Sequence, residues 1–211
     1  MIPDFDRITS YFPLPSRIAD HGAPCCRTAL AWLRGVDATN SYVNGSWHPP
    51  TWLRKKYEWG PAQCPLFWCS LPDAQTLECG GLAATAVQLY RLRGQSVAHV
   101  QLVVRYPSQA TEQWSRMWQR AGQDSKWILG NLCYHEACGV LEGTRIKLWD
   151  PTKNRWLEPP SSPAEAFASV VALRVFEPSG RTASRVDWEG ISIRAGAWQV
   201  LLLDDEGRLT N

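Results

Sequence analysis

Cys79 is the residue whose type and position most directly offer chemistry. It follows Glu78, precedes two glycines and begins an alanine-rich helical pattern that runs to Arg93 and stops at Gly94. The dipole and free N–H groups at a helix start stabilise a thiolate, so we expect a lowered thiol pKa, opposed by Glu78 if that carboxylate faces the sulfur. The pattern predicts a nucleophile, and a buried structural cysteine is the alternative.

His135 and Asp150 are the residues best placed to assist such a thiol. His135 lies in a strand pattern, a hairpin turn is predicted near 142–143, and the next strand ends in Asp150-Pro151, 15 residues after the histidine. In an antiparallel hairpin such residues lie almost opposite each other, with Cβ atoms about 5 Å apart. An aspartate there holds the imidazole in one tautomer, so we predict a Cys79–His135–Asp150 triad.

The order of these motifs resembles the transglutaminase-like superfamily with its papain-like core. The pairing of Tyr134-His135 with Asp150-Pro151 is also similar to that in bacterial protein-glutaminases, which deamidate glutamine side chains. The resemblance covers residues 76–160. It implies an α+β fold with the nucleophile helix packed on an antiparallel sheet, and it assigns the nucleophile, base and orienting acid to the same three residues. Gly80 and Glu136-Ala137 depart from the aromatic and Ala-Trp neighbours of transglutaminases, which leaves the acyl acceptor open.

The implied reaction is that of a cysteine-dependent amidohydrolase acting on a protein or peptide. The thiolate attacks a carboxamide or peptide carbonyl, ammonia or an amine leaves, and water hydrolyses the thioester or an amine captures it. Glutamine deamidation is the first choice, and a peptidase or transglutaminase on the same triad is the alternative. Gln75 and Asn131 are the candidate side-chain donors to the oxyanion. The reaction requires no cofactor.

Other cysteines offer two competing interpretations. Cys25 and Cys26 also precede a short helical pattern, which makes either an alternative nucleophile, but no strand follows that helix directly. Cys64 with Cys69, and Cys133 with Cys138, share a spacing wider than zinc pairs normally have. In a strand the second pair would face opposite sides, about 16 Å apart, so only the first keeps a structural zinc as an alternative. No role is assigned to the other histidines, His21, His48 and His99.

The overall composition limits which classes of partner and which cellular compartments are expected for the chain. The 211-residue chain has 45% apolar and 20% charged residues and a net charge of +2, which indicates a globular protein with no nucleic-acid partner. The apolar runs are too short for a membrane span, and the acidic start lacks a signal-peptide core. With seven cysteines we expect mostly reduced thiols, in the cytoplasm or after export by a route without an N-terminal signal. The sequence identifies no inhibitor or immunity partner.

The chain divides into a proline- and tryptophan-rich lobe, residues 1–75, and a regular core, residues 76–211. A protein-interaction domain that kept the fold and lost the chemistry is the non-enzymatic alternative. Trp47, Trp52, Trp59 and Trp68 are candidates for its interaction surface, and the alternative is that they are core residues.

The predicted elements alternate between helices and strands and suggest an antiparallel sheet with helices on one side. Helices are predicted over 24–34, 79–93 and 109–121, and after a capping box at 162–165. Strands are predicted over 97–106 (half-buried), 126–141, 145–149 and 170–176, followed by a hairpin of 190–194 with 198–203.

Overall fold

The structure is a computed structural model that describes residues 8, 23–62, 68–159, 170–176, 185–203 and 209–210. Its helices are α1 Ala23–Ser41, α2 Leu53–Lys56, α3 Cys79–Leu92 and α4 Ser108–Arg120, with a 3₁₀ turn at Trp68–Ser70. Its strands are β1 Tyr42–Val43, β2 Ser46–Trp47, β3 Glu58–Trp59, β4 Thr76–Leu77, β5 Ser96–Arg105, β6 Ile128–Leu129, β7 Leu132–Glu142, β8 Arg145–Asp150, β9 Arg155–Leu157, β10 Val170–Phe176, β11 Arg185–Trp188, β12 Ile191–Arg194, β13 Gln199–Val200, β14 Leu202–Leu203 and β15 Leu209–Thr210.

One large sheet organises the described chain. Its strand order is β12-β11-β8-β7-β5-β10-β13, with β6 on β7 and β9 on β8. The pairs are antiparallel except β8 with β11. The turn after β12 reaches back to β10, where Gly196 N donates to Val175 O at 3.0 Å. The fold is therefore α+β with a strongly curved sheet that nearly closes on itself.

Each face of this sheet has its own apolar core. On one face α3 packs Leu82 and Leu89 with Cys138 and Trp149. On the other face the curved sheet buries a second cluster that includes Leu102 on β5. The alternation within β5 predicted a half-buried strand, and that prediction is wrong: Val97 to Val104 are buried on both faces because α3 covers the polar-looking side.

The tryptophan-rich segment joins the same core across the predicted boundary at residue 75. Strand β3 pairs with β4 in parallel, and Trp52 and Trp68 are buried in the cluster that contains α3. Helix α1 continues to Ser41, so the predicted end at Gly35 is wrong. Asp37 in its last turns bonds both Arg93 Nε and Nη2 at 2.7 Å, and this buried contact outweighs the cost of about 1 kcal/mol for a helical glycine.

The bounds of the other predicted helices and strands agree with the structure in some cases and not in others. The positions of α3, α4, β8 and β10 are confirmed to within one or two residues. The long strand is broken at Gly130, whose φ is 60°, into β6 and β7. The predicted tail hairpin is wrong: β12 pairs with β11 through Glu189-Gly190, which both have positive φ as a tight hairpin requires, and β13 pairs with β10. The capping box at 162–165 lies outside the described residues.

Candidate active site

His135 and Asp150 meet where β8 ends beside β7. The two strands form an antiparallel hairpin whose turn includes Gly143 at a φ of 67°. His135 Nε2 lies 2.8 Å from Asp150 Oδ2. The two side chains are 7% and 0% exposed. The structure thus brings these two predicted residues together.

The Asp150 carboxylate is held by the turn that follows it. Its Oδ1 atom accepts from the N–H of Thr152 at 2.9 Å and of Lys153 at 3.1 Å. Burial alone raises the pKa of Asp150, but the charge and hydrogen bond of His135, with Lys153, outweigh it and hold that pKa below its ordinary value. An ionised carboxylate only accepts, so Nε2 carries the bonded proton, and in the neutral form of the ring Nδ1 is the nitrogen that can accept a proton.

Beside this pair, one edge of β7 has no neighbouring strand within the described part of the chain. Strand β6 reaches only as far as Cys133, and β8 begins its pairing at Cys138. Tyr134 N–H points to this edge, since it donates to Trp127 O at 2.9 Å. Backbone N–H groups alternate along a strand, so that of Glu136 points into the same gap.

Cys79, at the start of α3, lies beside this gap. The half-buried Cys79 sulfur accepts a hydrogen bond from the backbone N–H of Glu136, one residue along β7 from His135. Its S–H donates to Glu78 Oε2, 3.8 Å away. Within the described ranges, no hydrogen bond joins the sulfur to the His135 ring. His135 pairs with Leu102, which lies on the face opposite α3, so an approach of the thiol to the ring would have to pass around the uncovered strand edge.

The electrostatics around the thiol differ from the sequence-based expectation. Burial, and then the negative charges of Glu78, Glu136 and Asp150, raise the pKa of Cys79 well above its ordinary value, although the Glu136 N–H acts in the opposite direction. The expected lowering by the helix start is wrong because burial disfavours the thiolate, and because the Glu78 side chain itself accepts from Gly80 N at 2.8 Å and Gly81 N at 2.7 Å. The resting thiol is therefore protonated.

A second histidine–carboxylate pair lies on the α3 side of the same strand. His99 Nε2 contacts Glu136 Oε2, and the Tyr134 hydroxyl donates to Glu136 Oε1 at 2.7 Å. His99 and Glu136 are both 4% exposed. A Cβ atom on Gly80 would lie 3.0 Å from a carboxylate oxygen of Glu136 and 3.0 Å from one of Glu78, so this glycine separates the two acids.

Sequence reasoning assigned His99 no role and therefore missed this pair. The only signal was the alternation of His99 and Gln101 on one side of β5. Glu136 lies opposite Gln101, and His99 lies opposite Cys138, so the contact is diagonal across β5 and β7. Those strands are far apart in sequence, and their register is set by packing.

The predicted oxyanion donors are both exposed. Gln75 precedes β4, and its carbonyl accepts from Glu58 N at 2.8 Å. Asn131 precedes β7, and its carbonyl accepts from Tyr106 N at 2.8 Å. Within the described ranges, neither side chain hydrogen-bonds Cys79, so both roles stay predictions.

The remaining cysteines do not form a metal centre in the described part of the chain, where no group of three or more potential ligands is found. Cys133 and Cys138 are free, buried and on opposite faces of β7, and Cys69 is free and exposed. Cys25 and Cys26 belong to helix α1, but nothing is described of their side chains. Cys64 lies outside the described residues.

Comparison of the chain with models of protein families, with curated proteins and with solved structures yields no match. Among the described helices none is both long and apolar enough to cross a membrane. The feature of the chain that points to a function is the geometry at Cys79, His135 and Asp150.

Proposed function

We propose that the chain is a cysteine-dependent amidohydrolase that acts on a protein or peptide through a thioester on Cys79, with glutamine side-chain deamidation as the first choice. The observation that carries the proposal is the buried 2.8 Å bond between His135 and Asp150 beside the strand edge where the sulfur lies. Peptide-bond cleavage and transamidation use the same three residues and differ only in the acyl donor or acceptor.

The proposed proton route uses the nitrogen of the His135 ring that Asp150 does not bind. Asp150 engages Nε2, so Nδ1 of His135 takes the proton from the Cys79 thiol as the sulfur attacks the carboxamide carbon. The C–N bond breaks, and His135 returns that proton to the leaving ammonia. Water, deprotonated by the same nitrogen, then hydrolyses the thioester to a carboxylate and restores the thiol, so that one amide and one water become one acid and one ammonia.

Because the resting thiol is protonated, attack and proton transfer occur together rather than from a preformed ion pair. The thiol must first turn from Glu78 toward His135. Reactivity of Cys79 should therefore be low at mildly acidic pH and rise as the pH increases.

Ammonia release from a glutamine-rich protein such as casein, together with mass analysis for a gain of one mass unit per site, tests the proposal. Cys79→Ser, His135→Ala and Asp150→Asn should each abolish or strongly reduce release. Matched changes at exposed sites, Cys69→Ser and His48→Ala, should leave it unchanged. Full activity in Cys79→Ser would refute the assignment, and new peptide termini in place of ammonia would identify a peptidase.

A catalytically silent interaction domain is the second candidate, favoured by one exposed apolar hairpin. Tyr42, Val43 and Trp47 on β1 and β2 are 49%, 47% and 41% exposed. By contrast Trp52 and Trp68 are core residues and Trp59 is half-buried, so Trp47 is the exposed one of the four tryptophans. Absence of Cys79-dependent turnover on any amide, with binding lost in Trp47→Ala, would favour this candidate.

A further inference from the structure

The Glu78 carboxylate has three donors around it in the first turn of α3. Its Oε2 atom accepts from Gly80 N at 2.8 Å and from the Cys79 thiol at 3.8 Å. Its Oε1 atom accepts from Gly81 N at 2.7 Å. The carboxylate both caps the helix and accepts the hydrogen bond of the Cys79 thiol.

These contacts remove the stabilisation that a helix start offers to a thiolate. The N–H groups of Gly80 and Gly81 already bind an anion, and its charge offsets the helix dipole at the sulfur. A thiolate formed here would lie against the Glu78 carboxylate without those two donors. Like charges at this distance disfavour ionisation of the second group.

The other charged groups near the pair add to this effect from neighbouring elements. From β7 the Glu136 carboxylate faces Gly80, and from the end of β8 the Asp150 carboxylate also acts on the sulfur. His99 on β5 lies against Glu136 and opposes part of the negative charge felt by Glu78. Burial, and then Glu136, raise the pKa of Glu78, so this acid is more readily neutralised than an ordinary glutamate.

We propose that Glu78 restrains Cys79, holding the thiol in its protonated resting form until the Glu78 charge is neutralised or moved away from the helix start. This proposal rests on the proposed function, because Glu78 would regulate an enzyme only if Cys79 is its nucleophile. Glu78 acts through Cys79 and is a positioning residue. A substrate group or partner cation that draws the carboxylate away would activate the thiol.

The test is the pH profile of alkylation at single cysteines, measured by mass spectrometry of peptides after brief iodoacetamide treatment. In Glu78→Gln the Cys79 profile should move to lower pH, and a thiol pKa lowered by about one should give about tenfold faster labelling at neutral pH. Glu78→Asp keeps the charge and should stay slow. Glu112→Gln, at an exposed position of α4, is the matched control and should match the wild type.

An unchanged or slower Cys79 rate in folded Glu78→Gln would overturn the proposal, and a slower rate would instead make Glu78 the proton acceptor in attack. The wild-type protein supplies a second test that needs no variant: Cys79 should label more slowly than the exposed Cys69 at neutral pH. Faster labelling of Cys79 than of Cys69 would also overturn it.

Ammonia release separates this proposal from the proposed function. Faster labelling in Glu78→Gln with no amidase activity in either protein would retain the restraint and refute the enzyme. Ammonia release that depends on Cys79, together with an unchanged alkylation profile in Glu78→Gln, would retain the enzyme and refute the restraint.

Discussion

Two histidine–carboxylate pairs lie on adjacent residues of β7, and their surroundings differ. His135 with Asp150 lies at the end of β8, where the carboxylate is held by two backbone N–H groups and the ring keeps Nδ1 for exchange. His99 with Glu136 lies beneath α3, where Tyr134 is a second donor to the carboxylate and Gly80 is packed against it. Both pairs are buried, but no described strand covers the β7 edge beside His135, whereas α3 lies over Glu136. The first position is suited to moving a proton, and the second is suited to holding structure.

Asp150→Asn should give the largest effect and should separate the pairs by activity. The amide cannot hold the His135 tautomer as the ionised carboxylate does, and comparable changes in triads lower kcat by about 10⁴-fold. Glu136→Gln should reduce kcat far less because it does not touch the His135 ring. Ammonia release under saturating substrate measures both. Equal losses in the two variants would remove the functional distinction between the pairs.

His99→Ala should separate the pairs by stability. Removal of His99 takes away one buried partner of the 4% exposed Glu136 carboxylate, which keeps its bond from Tyr134, and loss of such a hydrogen bond to a buried acid costs about 1.5–3 kcal/mol. His135→Ala should cost less stability, since Asp150 keeps its bonds to Thr152 N and Lys153 N, but it should lower turnover by about 10⁴-fold, as Asp150→Asn does, because the base itself is lost. Urea unfolding and ammonia release on the same samples give both quantities, and the reverse pattern would contradict the comparison.

Gly80→Ala tests how tightly the pair of His99 and Glu136 is packed. The new methyl would lie 3.0 Å from oxygens of both Glu78 and Glu136, so we expect destabilisation by about 1–3 kcal/mol. Gly35→Ala is the matched change, in a helix with no atom within 4 Å of the new methyl. It should stabilise α1 by up to about 1 kcal/mol. Thermal unfolding of the two variants measures the contrast, and equal changes in Tm would argue against close packing at Gly80.

The smallest expected effect is the pH dependence of stability, which has opposite signs for Asp150 and Glu78. The folded pKa of Asp150 lies below the unfolded value of about 3.9, so its contribution is full above that pH and is lost as the pH falls through the folded value. The pKa of Glu78 is raised, so its contribution is full below about 4.3 and is lost as the pH rises through the folded value. Urea unfolding between pH 3 and 7 measures both dependences. The loss of stability at low pH should disappear in Asp150→Asn, and the loss of stability at higher pH should disappear in Glu78→Gln.

Local signals in the sequence predicted the parts of the site that neighbouring residues build. The helix that begins at Cys79 follows from its alanine-rich pattern and Gly94, and the contact of His135 with Asp150 follows from a hairpin with a short turn. In both cases the partners are close along the chain, so the entropic cost of closing the loop between them is small and the local pattern is enough to predict the contact. The triad assignment itself remains a prediction.

Only tertiary structure decided the environment of the thiol. The contact of His99 with Glu136 spans 37 residues and depends on the register of β5 on β7, which no local pattern specifies. The direction of Glu78 toward the sulfur, and the gap between β6 and β8 that admits Cys79, depend on where α3 docks. Sequence determined which groups are available, but the thiol pKa depends on distances and burial, and these arise only when the helix packs on the sheet.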